Sequence, residues 1–178
     1  MVEVDTTFPD LVHSIENPWL LIAIKAHLLG MSDDTCEGLY TALCHSALLV
    51  VTESQPEQPT RGAFMVDEQG IGKYERGTKI PLQTLTHTSG VELLPVFTDV
   101  RALSKFEKFE DPYCLLLSGF QVLEMLATGS ADYLSINPGS YDNIELPRSS
   151  IEVLVGNLRL SGLIPKEDRL EMLGYELR

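Results

Sequence analysis

The most apolar stretch of the chain is Trp19–Leu29, interrupted by Lys25. It is far short of the ~20 residues needed to cross a bilayer, so it reads as a core helix. Apolar side chains stand on nearly all its faces, which predicts burial on more than one side. Asn17 and Pro18 mark its start. An Asn side chain accepts from a free backbone N–H, and Pro in the first turn loses no hydrogen bond. Gly30 ends it. Ser32, Asp33 and Asp34 offer the next cap, with Asp34 and Glu37 at capping-box spacing. Cys36, Leu39, Tyr40, Leu43 and Ala47 then share a helical stripe. Two antiparallel helices joined by a short turn are the predicted opening of the fold.

Strand signals follow. Leu48–Thr52 is short and β-branched, and 53–60 is a Pro-containing loop. Residues 62–66 form a second strand, and 67–77, with three glycines, a turn or loop. Leu82–His87, the turn Thr88-Ser89-Gly90, and Val91–Phe97 make the clearest hairpin. Asp99 caps a helix over Val100–Phe109. Tyr113–Leu117 is a strand, Phe120–Ala127 a helix closed by Gly129, and Tyr133–Ile136 a strand ended by the turn Asn137-Pro138-Gly139-Ser140. Ser149 and Glu152 are spaced as a capping box for a helix with the stripe Ile151, Leu154, Val155, Leu158, ending at Gly162. Lys166–Leu173 is a last short helix. Strands outnumber simple β-α alternation, so the fold class is α/β (α+β): a mixed sheet of about five to six strands packed with helices. The predicted organisation is a lead-in over 1–16, one domain over 17–146, and a helical extension over 147–178 packed on that domain. Trp19, Leu20, Leu43, Phe97, Leu116, Leu123, Leu134 and Leu154 are the expected core.

The net charge is −13, from 26 acidic and 13 basic side chains. That sign repels phosphate backbones and anionic membranes and suits a basic protein partner. Cys36, Cys44 and Cys114 are odd in number and widely spaced, with no C-x-x-C pair, so neither a disulfide framework nor a thiolate zinc site is expected. The first ten residues lack a basic region followed by an apolar one, so they do not read as a signal peptide, and a cytoplasmic protein is expected.

Few residues suggest chemistry. Cys44 and His45 are neighbours on a helix, about 100° apart, and cannot act as a nucleophile–base pair; core packing fits Cys44 better. His27 and His45 approach each other in a hairpin, but two histidines without a third ligand make no zinc site. Gly70-Ile71-Gly72-Lys73 lacks the full phosphate-loop spacing. Ser118, Ser135 and Ser140 have no G-x-S-x-G context. Glu107, Glu110 and Asp111 alternate with Lys105 and Lys108 as a charged helix face. No metal or cofactor is called for. Thr98, Asp99, Asn137, Pro138, Gly139 and Ser140 are the binding candidates. They follow two strand ends, and if those strands run parallel their loops meet at one sheet edge, beside free N–H groups at the start of the Asp99 helix. The structural alternative makes Thr98 or Asp99 a cap and Asn-Pro-Gly a turn.

Leu94-Pro95-Val96-Phe97-Thr98-Asp99 and Ala131-Asp132-Tyr133-Leu134-Ser135-Ile136-Asn137-Pro138-Gly139 together resemble the SseB family (enhanced serine sensitivity protein), N-terminal domain. That family is similar in having a P-x-F-T strand end and a later G-A-D-x-L-x-I-N-P strand end. Here Gly129-Ser130-Ala131-Asp132 carries one extra residue. Asn17-Pro18-Trp19-Leu20 and the helix leading to Leu48 also resemble it, so the likeness spans roughly residues 15–145. The resemblance implies a bacterial α/β domain without a settled activity, described in terms of secretion or accessory roles. The separate C-terminal domain of some relatives is not carried over.

The leading expectation is therefore a non-enzymatic protein-binding or accessory module, with self-association left open. One alternative is an acidic immunity or inhibitor-type protein that captures a basic toxin or nuclease. The other is an enzyme with its site at the Thr98/Asn137 edge.

Overall fold

The computed structural model describes residues 15–52, 64–66, 72–74, 82–109, 113–162 and 174–176. In chain order these form α1 (Pro18–Leu29), α2 (Asp33–Cys44), β1 (Ala47–Thr52), β2 (Phe64–Val66), β3 (Gly72–Tyr74), β4 (Leu85–Thr86) and β5 (Glu92–Phe97). Then come α3 (Val100–Ser104), β6 (Tyr113–Ser118), α4 (Gly119–Thr128), β7 (Tyr133–Ile136), β8 (Ile144–Pro147), α5 (Arg148–Leu160) and β9 (Gly174–Glu176). The main sheet has the order β8-β7-β5-β1-β6-β9, with β4 added beside β5, while β2 and β3 pair separately. β5 and β7 run parallel and the other ladders antiparallel. This is the mixed sheet with an opening helical hairpin that the strand and helix signals predict.

Both faces of the sheet are covered. Leu48 and Val50 of β1 point into the larger core with Leu94, Val96, Leu134 and Ile136, against Leu20, Ile24, Leu39, Leu43, Leu123 and Ile151 from the helices. The alternate residues Leu49 and Val51 join Phe97, Leu103 and Leu116 on the other face, where Phe106 and Phe109 close over them. A strand buried on both faces reads as a continuous apolar run, which is why Leu48–Val51 stands out in the sequence. α4 meets the end of α2 so closely that a Cβ on Gly119 would lie 1.7 Å from the Leu43 carbonyl oxygen, so only glycine fits there.

Pro95 lies inside a central strand, where its missing N–H would ordinarily break a ladder. The ladder from β1 covers Val96 and Phe97, and the one from β4 covers Leu93 and Glu92. Pro95 falls between them, and the Val51 carbonyl opposite accepts from Gln83 N instead (3.0 Å).

Several expectations need correction. α1 buries Leu20 and Ile24 alone, and Trp19 is 77 % exposed. Leu154 is half-buried, whereas Leu20, Leu43, Phe97, Leu116, Leu123 and Leu134 are buried. The capping box of α2 is Ser32/Thr35, because the helix already starts at Asp33; Asp33 and Asp34 instead sit in its first turn, where carboxylates favour the helix dipole. Ser149 and Glu152 form no box, since β8 runs directly into α5 through Pro147. α3 has five residues rather than reaching Phe109. β3, β8 and β9 were not foreseen as strands, and the helix expected over Lys166–Leu173 lies outside the described residues. No described helix is long and apolar enough to cross a membrane.

Candidate functional site

The parallel pairing of β5 with β7 brings the loops after Phe97 and Ile136 to one edge. Thr98 and Asn137 meet there. Asn137 Oδ1 accepts from Thr98 N (2.9 Å), and Asn137 Nδ2 donates to Thr98 Oγ1 (3.0 Å). The Thr98 hydroxyl hydrogen is shared between Asp99 Oδ2 (2.9 Å) and Asn137 Oδ1 (3.2 Å). Asn137 holds φ at 52°, a left-handed conformation that asparagine tolerates better than most residues. Thr98 is 0 % and Asn137 3 % exposed.

The rest of the predicted group spreads around this pair. Asp99 Oδ1 caps α3 by accepting from Ala102 N (2.8 Å). Pro138 is buried, Gly139 exposed and Ser140 half-buried. Gly139 has φ 76° and packs over Phe106. With five residues, and with its N-cap side chain already bonded, α3 offers little of the anion-binding N-terminus expected of it.

Asn17 completes this edge and was misread as a helix cap. Its side chain makes no cap bond. Instead Nδ2 donates to the carbonyls of Ala47 (2.7 Å) and Thr98 (2.6 Å), and Oδ1 accepts from Ala47 N (3.2 Å). One amide thereby ties the start of α1 to the start of β1 and the end of β5. Its buried polar atoms are satisfied by backbone groups that the ladders leave over. Sequence order alone hides this, because the partners are 30 and 81 residues away.

Asp132 does at the other end of β7 what Asn137 does at its close. Its Oδ2 accepts from Glu92 N (3.0 Å), and its own N donates to the Glu92 carbonyl (2.8 Å). Polar residues thus pin both ends of the β5/β7 pair, while Leu134 and Ile136 between them fill the core. The motif Ala131–Pro138 is accounted for as a register lock.

A groove of about 820 Å³ opens between α1 and α2. Trp19, Ile22 and Ala23 form one wall, and Gly38, Thr41 and Ala42 the other, with Glu16, Asp34, Glu37 and His45 around them. A smaller cavity of about 470 Å³ lies between Ile15–Pro18, Leu21 and the Asp99–Arg101 turn. Both share Glu16, Asn17 and Pro18, so the groove and the sheet edge adjoin. Sequence reasoning recognised α1 as apolar throughout. It missed that the side away from Leu20 and Ile24 faces solvent.

The other candidates separate. Burial pushes the Cys44 thiol up to about 11 and Cys114 to about 12, which keeps both protonated and poorly nucleophilic near neutral pH. His27 Nδ1 contacts Thr35 Oγ1 (3.3 Å) at the start of α2, while His45 follows its end, so the two imidazoles do not meet. Among the described residues, no group of three or more His, Cys, Asp or Glu is placed to hold a metal. Gly72 and Lys73 belong to β3; Gly70 and Ile71 lie outside the described residues, as do Glu110 and Asp111. Ser118 caps α4 through a box with Gln121, and Ser135 Oγ donates to Asn143 Oδ1 (3.2 Å).

No curated protein and no solved structure matches the chain. The SseB protein N-terminal domain matches residues 21–153, from the first turn of α1 into α5 and across the whole β5/β7 lock, so the chain belongs to the SseB family.

Proposed function

We propose that this SseB-family domain is a non-enzymatic protein-binding module whose contact surface is the α1/α2 hairpin. One observation carries the reading. Trp19, Ile22 and Leu29 are 77 %, 57 % and 89 % exposed on a helix anchored by its opposite side. At 100° per residue, Trp19, Ile22, Ala26 and Leu29 fall within an arc of about 80°. Scattered exposed apolar residues are ordinary on soluble proteins, but a contiguous apolar stripe beside a groove marks a surface that is covered in use. Trp is also the residue type most enriched among those that dominate binding energy.

The sheet edge at Thr98, Asp99 and Asn137–Ser140 gives weaker support for a ligand site. Its two central side chains are buried and bonded to each other, leaving Asp99, Gly139 and Ser140 as the accessible rim.

The test is quantitative affinity capture from the native cell, comparing wild type with Trp19→Ser/Ile22→Ser at matched melting temperature. Proteins retained by the first and lost from the second are expected. The same set retained by both overturns the reading.

A further inference from the structure

Resting on the hairpin as contact surface, we infer that its groove receives a cationic amphipathic helix of a partner protein, one apolar stripe flanked by Lys and Arg. The walls suit a helix. Gly38, Thr41, Ala42 and Ala23 are short, and a Cβ built on Gly38 meets nothing within 4 Å, so a partner backbone can approach closely. Trp19 and Ile22 supply large apolar contacts along α1, which is about 18 Å long and matches three turns of a second helix. Helix-in-groove recognition works in this way, through anchors at i, i+3 and i+4.

Charge selects among occupants. Glu16, Asp34 and Glu37 are exposed around the groove, and neither Lys nor Arg lines it. Lys25, the one cation on α1, is directed to Asp142 (3.9 Å). A partner with Lys or Arg beside its apolar stripe meets complementary charge, which speeds encounter and fixes orientation. A second copy brings a net charge of −13 against the same rim. The chain's own residues 1–14 carry Glu3, Asp5 and Asp10 and no Lys or Arg, so their side-chain charge does not complement the rim either.

Trp19 is the only tryptophan of the chain and reports on the groove directly. The full chain is titrated with an 18-residue helical peptide without aromatic residues, Leu on one face and Lys on the other, and with a twin bearing Glu in place of Lys. The expected result is a blue shift of Trp19 emission with the Lys peptide, and at least tenfold weaker binding of the Glu peptide. Gly38→Leu fills the groove without altering charge and should weaken the Lys peptide at least tenfold at an unchanged or raised melting temperature. Asp34→Lys/Glu37→Lys should do the same from the rim. Binding unchanged by Gly38→Leu means general electrostatic attraction and overturns the proposal. Equal binding of both peptides, abolished by Gly38→Leu, overturns the cationic assignment while the hairpin stands as contact surface. No Trp19 response to either peptide counts against both. A concentration-dependent emission without peptide identifies a second copy as occupant. A red shift on Phe8→Asp/Leu11→Asp identifies the chain's own first residues. Either outcome overturns the proposal.

Discussion

Asn17 and Trp19 stand two residues apart at the start of one helix, and their surroundings invert their chemistry. The amide is 8 % exposed and the indole 77 %. Burying an amide is costly unless its polar atoms find partners, and Asn17 finds three in the backbone groups of Ala47 and of Thr98, just past β5. Exposing an indole forgoes a large burial energy, and nothing in the described fold recovers it. The same contrast separates the two regions at large. At the sheet edge, Thr98 and Asn137 are polar, buried and bonded to each other. In the groove, Trp19 and Ile22 are apolar and open. A saturated buried polar group holds a fold together, whereas an open apolar one leaves binding energy for a partner.

The largest expected effect tests the polar side of that contrast. Asn17→Ala removes the donor to Ala47 O and Thr98 O and the acceptor of Ala47 N, and the cost should be about 3 kcal/mol by urea denaturation, given 1–3 kcal/mol for each buried group left unpaired and incomplete additivity. A loss below about 1 kcal/mol would show that water replaces the amide and that α1 is held by Leu20 and Ile24 alone. Next comes the Thr98/Asn137 pair. Thr98→Ala and Asn137→Ala should each cost about 1–2 kcal/mol, and the double variant should fall short of their sum by at least ~0.5 kcal/mol, because the two share hydrogen bonds. Fully additive losses would mean that the side-chain bonds at 3.0 and 3.2 Å contribute no net stability.

The two regions were unequally legible in the sequence. The β5/β7 edge could be foreseen from order alone. A helix, a strand and a helix between two strands leave enough chain for a parallel crossover, which places Thr98 beside Asn137. Its burial could not, because an exposed Asn-Pro-Gly turn and a buried one share the same letters; the difference lies in the bonds that hold Asn137 against Thr98, 39 residues away. Asn17 was legible as a helix start but not as a clamp, since its partners are set by the sheet. α1 failed for a different reason. Periodicity shows which faces are apolar, not how many of them the fold covers, and the described helices and sheet reach only the side of Leu20 and Ile24. β8 was missed because a strand alternating Ile144, Glu145, Leu146 is too short to rise above its neighbours.

A smaller effect bears on the open side of the comparison. Gly38 sits inside α2 with free space around it, and it costs the helix the propensity that an alanine would restore. Gly38→Ala should raise stability by about 0.5–1 kcal/mol. Gly119→Ala is the counterpart in the packed region, where the Leu43 carbonyl blocks any Cβ and destabilisation is expected. If Gly38→Ala destabilises instead, the space beside the α2 wall of the groove is already occupied in the isolated protein.

The smallest expected stability change is the most informative. In a core position Trp19→Ala would cost about 3–5 kcal/mol. On the exposed face of α1 it should stay within about 0.5 kcal/mol of wild type. Ile24→Ala on the buried face of the same helix should cost about 2–5 kcal/mol and serves as the internal control. Acrylamide quenching adds a second reading, since the chain has no other tryptophan to dilute the signal. Quenching close to that of free tryptophan, with a near-zero stability change, means that the indole is held in solvent by a helix anchored elsewhere. A loss above about 1 kcal/mol, or a shielded indole, would mean that Trp19 already packs against part of its own chain. The hairpin would then be a covered surface, and the contrast with Asn17 would vanish.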